Sequence, residues 1–390
     1  MPRPGAVVKL ERLTSDGPRD VLRALRHAVL GAGPAVALGG DAVLPAEVAA
    51  GTAAVITTSG STGVPKSVAI GRNALIASAF ATSARIGEGA WLLAVPATYV
   101  AGVQVLVRAL VNGREPAMLT GPFRPEPFAA AALGMASHEN GILVPTYTSL
   151  VPAQLQRLLD AAEDDSDVAR ALRSFEAILV GGQALAPALR ERAQTAGARI
   201  VRTYGSTETC GGCVYDGRAL DGVKVAIVDG EVRISGPTLA DGYVGDPDRT
   251  AELFPVDADG ARWYRTGDGG DLADGVLRVT GRLDNVIVSG GVNVSLDRVE
   301  AAVRGIPGLE SAVVIPVDDE RWGQGSAVIA PHRPGLDEGR TLDLVRTEVA
   351  AVIGPVARPA RLVLVDAVPL LASGKPDRAA LRARFGAAKN

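Results

Sequence analysis

The chain has 390 residues, too many for one ordinary hydrophobic core, so two domains are expected. Its 40 basic and 43 acidic side chains leave a net charge of −3, which excludes a global basic field recruiting nucleic acid or an anionic membrane. Two cysteines in this length exclude a disulfide framework, and Met1-Pro2-Arg3-Pro4-Gly5 lacks the apolar core of a signal peptide, so a cytoplasmic protein is expected.

Along the chain, the strand signal Ala53-Ala54-Val55-Ile56 runs into Thr57-Thr58-Ser59-Gly60-Ser61-Thr62-Gly63-Val64-Pro65-Lys66. That composition suits a strand ending in a loop wrapped around phosphate. Glycines let the backbone come close, hydroxyls and N–H groups donate to phosphate oxygens, and lysine supplies a point charge. A Walker A loop needs glycine immediately before Lys-Ser/Thr, and here Pro65 precedes Lys66. Lysine occurs only at positions 9, 66, 224, 375 and 389, so a lysine inside a motif carries weight.

Residues 90–107 carry no charge and are about as long as a membrane span. Pro96, Thr98, Tyr99, Gly102 and Gln104 interrupt them, which makes a buried core segment the expectation and a span not. The acidic run Glu163-Asp164-Asp165-Ser166-Asp167 reads as a solvated loop. Residues 177–180 form a strand running into Gly181-Gly182, a helix follows with Pro187 in its first turn, and residues 199–202 form a strand ending at Tyr204-Gly205. This is the grammar of an α/β layer, which binds ligands beyond its strand ends. Tyr204-Gly205-Ser206-Thr207-Glu208-Thr209 stands at such an end. Glu208 can hold Mg²⁺, Thr207 can donate to a phosphate oxygen, and Tyr204 can stack on a base. The competing reading, a capping box, needs a glutamate three residues after Ser206, which is missing. Cys210 and Cys213 form a C-x-x-C, but zinc needs two further ligands and the histidines are scattered, so both read as small apolar fillers.

Past residue 220 the texture becomes β-rich. Residues 223–228 and 231–235 flank the turn Asp229-Gly230, and a second hairpin fits 263–265 with 276–280. Arg265-Thr266-Gly267-Asp268 reads as a tight turn whose aspartate can accept both hydroxyls of a ribose. Gly281-Arg282-Leu283-Asp284 is a polar break. We place a large domain at 1–281, a linker at 282–284 and a small α+β domain at 285–390. Ser373-Gly374-Lys375-Pro376-Asp377-Arg378 presents a lysine on a glycine-hinged loop.

In this order the segments resemble the acyl-adenylate-forming enzymes: acyl-CoA ligases, firefly luciferase and the adenylation domains of peptide synthetases. The resemblance implies an α/β fold: a large N-terminal domain with a β-rich subdomain, and a small mobile C-terminal α+β domain. It implies activation of a small-molecule carboxylic acid with ATP and Mg²⁺, then transfer of the acyl group to a thiol such as CoA. By the same resemblance Thr58, Ser59, Gly60, Ser61, Thr62, Gly63 and Lys66 hold the β- and γ-phosphates. Glu208 binds Mg²⁺, Thr207 contacts the α-phosphate, and Tyr204 with Gly182 flanks adenine. Asp268, assisted by Arg282, takes the ribose, and Lys375 bridges the attacking carboxylate and the α-phosphate. Asp284 is the implied pivot of the small domain, with Gly290 and Gly291 beside a thiol tunnel. A homodimer is implied, without nucleic acid or a membrane span.

Within that family, Val95-Pro96-Ala97-Thr98-Tyr99-Val100-Ala101-Gly102, Leu143-Val144-Pro145-Thr146, residues 209–217 and Ser289-Gly290-Gly291-Val292-Asn293-Val294-Ser295 resemble the o-succinylbenzoate–CoA ligases of menaquinone synthesis, the short actinobacterial type. The phosphate loop starts so early that an N-terminal part shorter than is usual in the family is expected. Tyr99 stands where relatives often carry a histidine lining the acyl pocket; Ser206 is a second expected lining residue. Asn285 replaces a frequent aspartate, and Ser295-Leu296-Asp297 replaces the usual Pro-x-Glu. The alternatives are a CoA ligase for another aromatic acid and a stand-alone adenylation enzyme loading a carrier protein. The 96–102 stretch has no aspartate to bind an α-amine, which disfavours an amino-acid activator. A non-catalytic adenylate-binding relative is disfavoured by the presence of Glu208 and Lys375.

Overall fold

The structure, a computed structural model, describes residues 5–58, 65–319, 322–333, 335–371 and 374–386. The long uncharged stretch is core. Ala90–Leu93 is a strand and Val100–Val111 a helix, with the chain turning at Pro96 between them. That helix is buried from Gly102 to Leu110 and packs against the helices Pro18–Leu30 and Arg72–Ile86. Gly102 is required there: a Cβ would lie 2.1 Å from the Pro96 carbonyl oxygen. Pro18–Leu30 buries Val21, Leu22, Leu25, Ala28 and Val29, one stripe of a 3.6-residue period. Among the described residues no helix is long and apolar enough to cross a membrane.

Two sheets enclose this helical layer. One runs in the order Gly242–Tyr243, Lys66–Gly71, Thr52–Thr58, Ala35–Leu38, Val7–Arg12, Glu47–Ala49. The other runs Arg218–Ala219, Gly211–Tyr215, Ile200–Ser206, Ala177–Val180, Thr146–Leu150, Ala90–Leu93, Ala117–Met118. Its strands are parallel from Ile200–Ser206 to Ala117–Met118, joined through helices such as Pro187–Thr195, as an α/β layer requires. A third, antiparallel sheet orders Lys224–Val228, Glu231–Ser235, Trp263–Ala273 and Val276–Arg282.

Beyond residue 285 a separate hydrophobic cluster gathers Ile287, Val299, Val303, Val328 and Val345. Here Val292–Ser295, Val286–Ser289, Gly323–Pro331 and Val313–Asp319 form a sheet, with Arg361–Val365 parallel to Gly323–Pro331. The helices Leu296–Arg304 and Glu338–Val352 cover it. The molecule is thus mixed α/β with a large N-terminal and a smaller C-terminal domain.

Three local readings change. Arg265-Thr266-Gly267-Asp268 is not a turn; it lies inside the strand Trp263–Ala273, because that strand pairs with neighbours on both sides. The acidic run is only partly a loop: Asp165 accepts from the N–H groups of Asp167 and Val168 and starts the helix Ser166–Ser174. The turn at Ser206 is capped after all, by Thr209, whose Oγ1 accepts the Ser206 N–H at 2.8 Å.

Candidate active site

Thr58 and Lys66 face each other across an antiparallel pair. Ser59, Gly60, Ser61, Thr62 and Gly63 lie outside the described residues. Lys66 reaches Glu208: Nζ donates to Oε1 at 2.5 Å. Glu208 sits on the short 3-10 turn Thr207–Thr209 and is only 2 % exposed. Burial alone would raise its pKa, but the Lys66 charge and the hydrogen bonds from Lys66 and Tyr243 outweigh it, and the carboxyl stays below its usual value. Tyr243 OH donates to the same Oε1 at 2.9 Å.

Tyr204 OH donates to Asp268 Oδ2 at 2.6 Å, which joins the end of the parallel sheet to the antiparallel one. Burial pushes the Asp268 carboxyl up; the Tyr204 hydrogen bond and the Arg282 charge pull it back only in part. Arg282 donates to Asp268 Oδ1 at 3.5 Å and to the Thr266 carbonyl at 2.8 Å, and forks onto Asp284 with two bonds of 2.9 Å. Gly182, at φ +80°, occupies left-handed backbone.

Lys375 comes from the small domain and enters the same cleft. A Cβ built on Gly182 would lie 3.7 Å from Lys375 Cε, and one on Gly374 would meet Val151 at 3.1 Å. The side chain remains accessible to water, yet it stands deep enough that protein surrounds it. That crowding lowers its pKa; Lys66 adds repulsion, while Glu208 and Asp268 oppose the shift. Lys375, Glu208, Lys66 and Asp268 therefore share one electrostatic neighbourhood. Gly290 and Gly291 do not: a Cβ at Gly290 would strike Trp322 of its own domain, and one at Gly291 would meet nothing within 4 Å.

The wall behind Ser206 was not legible in the sequence. Gln104 and Arg108 stand one turn apart on the buried helix, against Gly211 and Tyr215 of the neighbouring strand. Gln104 is 1 % exposed and neither atom of its amide has a partner; Ser206 is half-buried, its hydroxyl beside that of Tyr264. Arg108 is 3 % exposed, donates to Tyr215 OH at 3.2 Å and stacks 4.9 Å from the Trp91 ring, while its Nε has no partner. Burial lowers its pKa, and no carboxylate among the described residues pairs with it. The only cue was a lone arginine closing an uncharged run. Tyr99 is the half-buried residue preceding this helix. Cys210 and Cys213 are fully buried, with thiols pushed up by burial, Cys213 to about 12.

Among the described residues no three His, Cys, Asp or Glu side chains gather as a ready-made cage. A cation at Glu208 would have that carboxylate and the adjacent Thr207 hydroxyl, an all-oxygen donor set. This fits Mg²⁺, which is commonly held by one or two carboxylates and substrate phosphates. A cavity of about 360 Å³ lined by Asp229, Glu231, Arg233, Arg265, Arg282 and Asp284 shares Arg282 with the site but contains neither Glu208 nor Lys375.

Residues 10–244 match the AMP-binding enzyme family, and residues 298–375 match the AMP-binding enzyme C-terminal domain. A probable 2-succinylbenzoate–CoA ligase of Mycobacterium tuberculosis is 38% identical over 344 residues, covering 85% of this chain and 84% of its own. A 2-succinylbenzoate–CoA ligase of Enterococcus faecalis is 29% identical over 350 residues, covering 83% and 67%. Among solved structures, o-succinylbenzoate CoA synthetase from Bacillus subtilis, in complex with its acyl-adenylate intermediate, superposes with a TM-score of 0.70 at 24% identity, covering 88% of this chain and 72% of its own.

Proposed function

The chain belongs to the AMP-binding enzyme family, and on that premise we propose that it is an AMP-forming acid–CoA ligase that converts 2-succinylbenzoate to its CoA thioester. The observation that carries the reading is Lys375, delivered by the small domain into the cleft that holds Glu208, Lys66 and Asp268. In the first step a carboxylate oxygen attacks the α-phosphorus of ATP and pyrophosphate leaves. Two anions must meet, so a cation aimed at both lowers the barrier; that is the role of Lys375. Lys66 and the loop from Thr58 hold the departing phosphates, Thr207 donates to the α-phosphate, and Asp268 with Arg282 fixes the ribose. Mg²⁺, held at Glu208, would neutralise phosphate charge. In the second step the CoA thiol sulfur attacks the acyl carbonyl and AMP leaves. Asp284 is our pivot for the turn of the small domain that brings Gly290 and Gly291 to the thiol.

The substrate reading rests on Arg108. A buried guanidinium without a carboxylate costs several kcal/mol until an anion arrives. 2-Succinylbenzoate has a second carboxylate on its ring, and Arg108, Gln104 and Ser206 are the groups we assign to it. ATP–pyrophosphate exchange across a panel of acids tests both parts, with product masses read with and without CoA. Exchange with 2-succinylbenzoate and a CoA thioester are expected. Exchange with another acid alone would overturn the substrate, and an acyl product found only on a carrier protein would overturn the ligase.

A further inference from the structure

The Gly242–Tyr243 strand joins the two halves of the Lys66–Glu208 pair. Ala240 N–H donates to the Glu208 carbonyl at 2.8 Å, and Val244 N–H donates to the Ser67 carbonyl at 2.8 Å. Between them Tyr243 pairs with Val68 and is held by Thr250 Oγ1, which accepts its N–H at 2.9 Å. Its hydroxyl donates to Glu208 Oε1, the atom that also takes Lys66 Nζ. Lys66 Nζ lies 5.6 Å from the centre of the Tyr243 ring, and the Arg249 guanidinium 5.0 Å from it.

Glu208 thus has one charged and one neutral donor on a single oxygen. A divalent cation arriving at this carboxylate repels Lys66, and the phosphates that accompany it attract Lys66. Tyr243 carries no charge, so nothing drives it away. We infer that Tyr243 is the positioning residue that holds the Glu208 carboxylate for the nucleotide's divalent cation once Lys66 has moved to the phosphates. This rests on the functional reading above. It extends it by naming what keeps the carboxylate aimed when its ion-pair partner is gone.

Tyr243→Phe removes one oxygen and keeps the ring. Mn²⁺ binding to the full-length protein with α,β-methylene ATP, read by electron paramagnetic resonance, is expected to weaken about tenfold, as when the hydrogen-bonding partner of a metal ligand is lost. The half-saturating Mg²⁺ concentration should rise while kcat at saturating metal holds. Arg249→Leu, which removes only a cation from the ring face, should bind Mn²⁺ as wild type does. Unchanged Mn²⁺ affinity in Tyr243→Phe, with normal wild-type binding, overturns the inference alone. An equal loss in Arg249→Leu also overturns it, because the ring's packing would then be the cause. A wild-type protein that binds no Mn²⁺–nucleotide overturns the functional reading and this inference with it.

Discussion

At Lys375, the surrounding protein works against the charge on which its proposed role in adenylation depends. Its pKa is lowered, so the ammonium is lost on the alkaline side at a pH below the ordinary lysine value of 10.5. Between the folded and unfolded values the unfolded chain binds more protons, so this residue makes stability rise with pH in that window while activity falls. The alkaline limb of ATP–pyrophosphate exchange should move upward in Lys375→Arg, whose guanidinium does not titrate there; a limb that stays in place removes Lys375 as its cause. Lys375→Ala should slow exchange by about a hundredfold or more, the scale for losing one electrostatic contact made in the transition state. Thioester formation from preformed acyl-adenylate should survive, and exchange at the wild-type rate would contradict the assignment. In the role we propose for it, Arg108 makes the opposite case, a cation in place before its partner. Arg108→Met should lower kcat/KM for 2-succinylbenzoate by about a hundredfold and leave benzoylpropionate, which lacks the ring carboxylate, little changed. The same substitution should raise the unfolding midpoint, since it deletes an uncompensated buried charge. Equal kinetic losses with both acids would show that the pocket had merely collapsed.

The segment joining the domains shows which elements a sequence reveals. Asp229-Gly230 announced its hairpin because only a turn with both residues at positive φ suits that dipeptide, and both adopt it. Thr266-Gly267-Asp268 carried equally strong turn chemistry and became strand, because long-range pairing outweighs local preference. The same is true of Asn285 and Asp297, two substitutions that look independent in the chain. Asn285 Nδ2 donates to Asp297 Oδ1 at 2.8 Å, and Asp297 Oδ2 accepts the Arg282 N–H at 2.6 Å. Together with the Arg282–Asp284 fork they brace both sides of the pivot we assign. Asp284→Pro should therefore impair thioester formation more than pyrophosphate exchange, because proline fixes a backbone angle there. Equal impairment of the two half-reactions would move the pivot elsewhere.

On the scale of the whole molecule, the two-domain division was readable because hydrophobic patterning breaks at a polar segment and resumes. Sheet order was not, since no local property of residues 66–71 says that Gly242–Tyr243 lies beside them. The convergence of Lys375 with Lys66, Glu208 and Asp268, which three different sheets position, depends on that order. It ties domain arrangement to occupancy: a non-hydrolysable acyl-adenylate analogue should slow tryptic cleavage after Arg282, and cleavage that is indifferent to it would argue that the domains do not respond. Arg108 has a wider consequence. On the assignment of the acid's second carboxylate to Arg108, binding stabilises the folded chain, and at a hundred times its Kd the gain is about 2.7 kcal/mol. Degradation draws on the unfolded fraction. A cell short of the precursor would therefore clear this protein faster, and its abundance would follow the supply of what it consumes without any regulator of its synthesis.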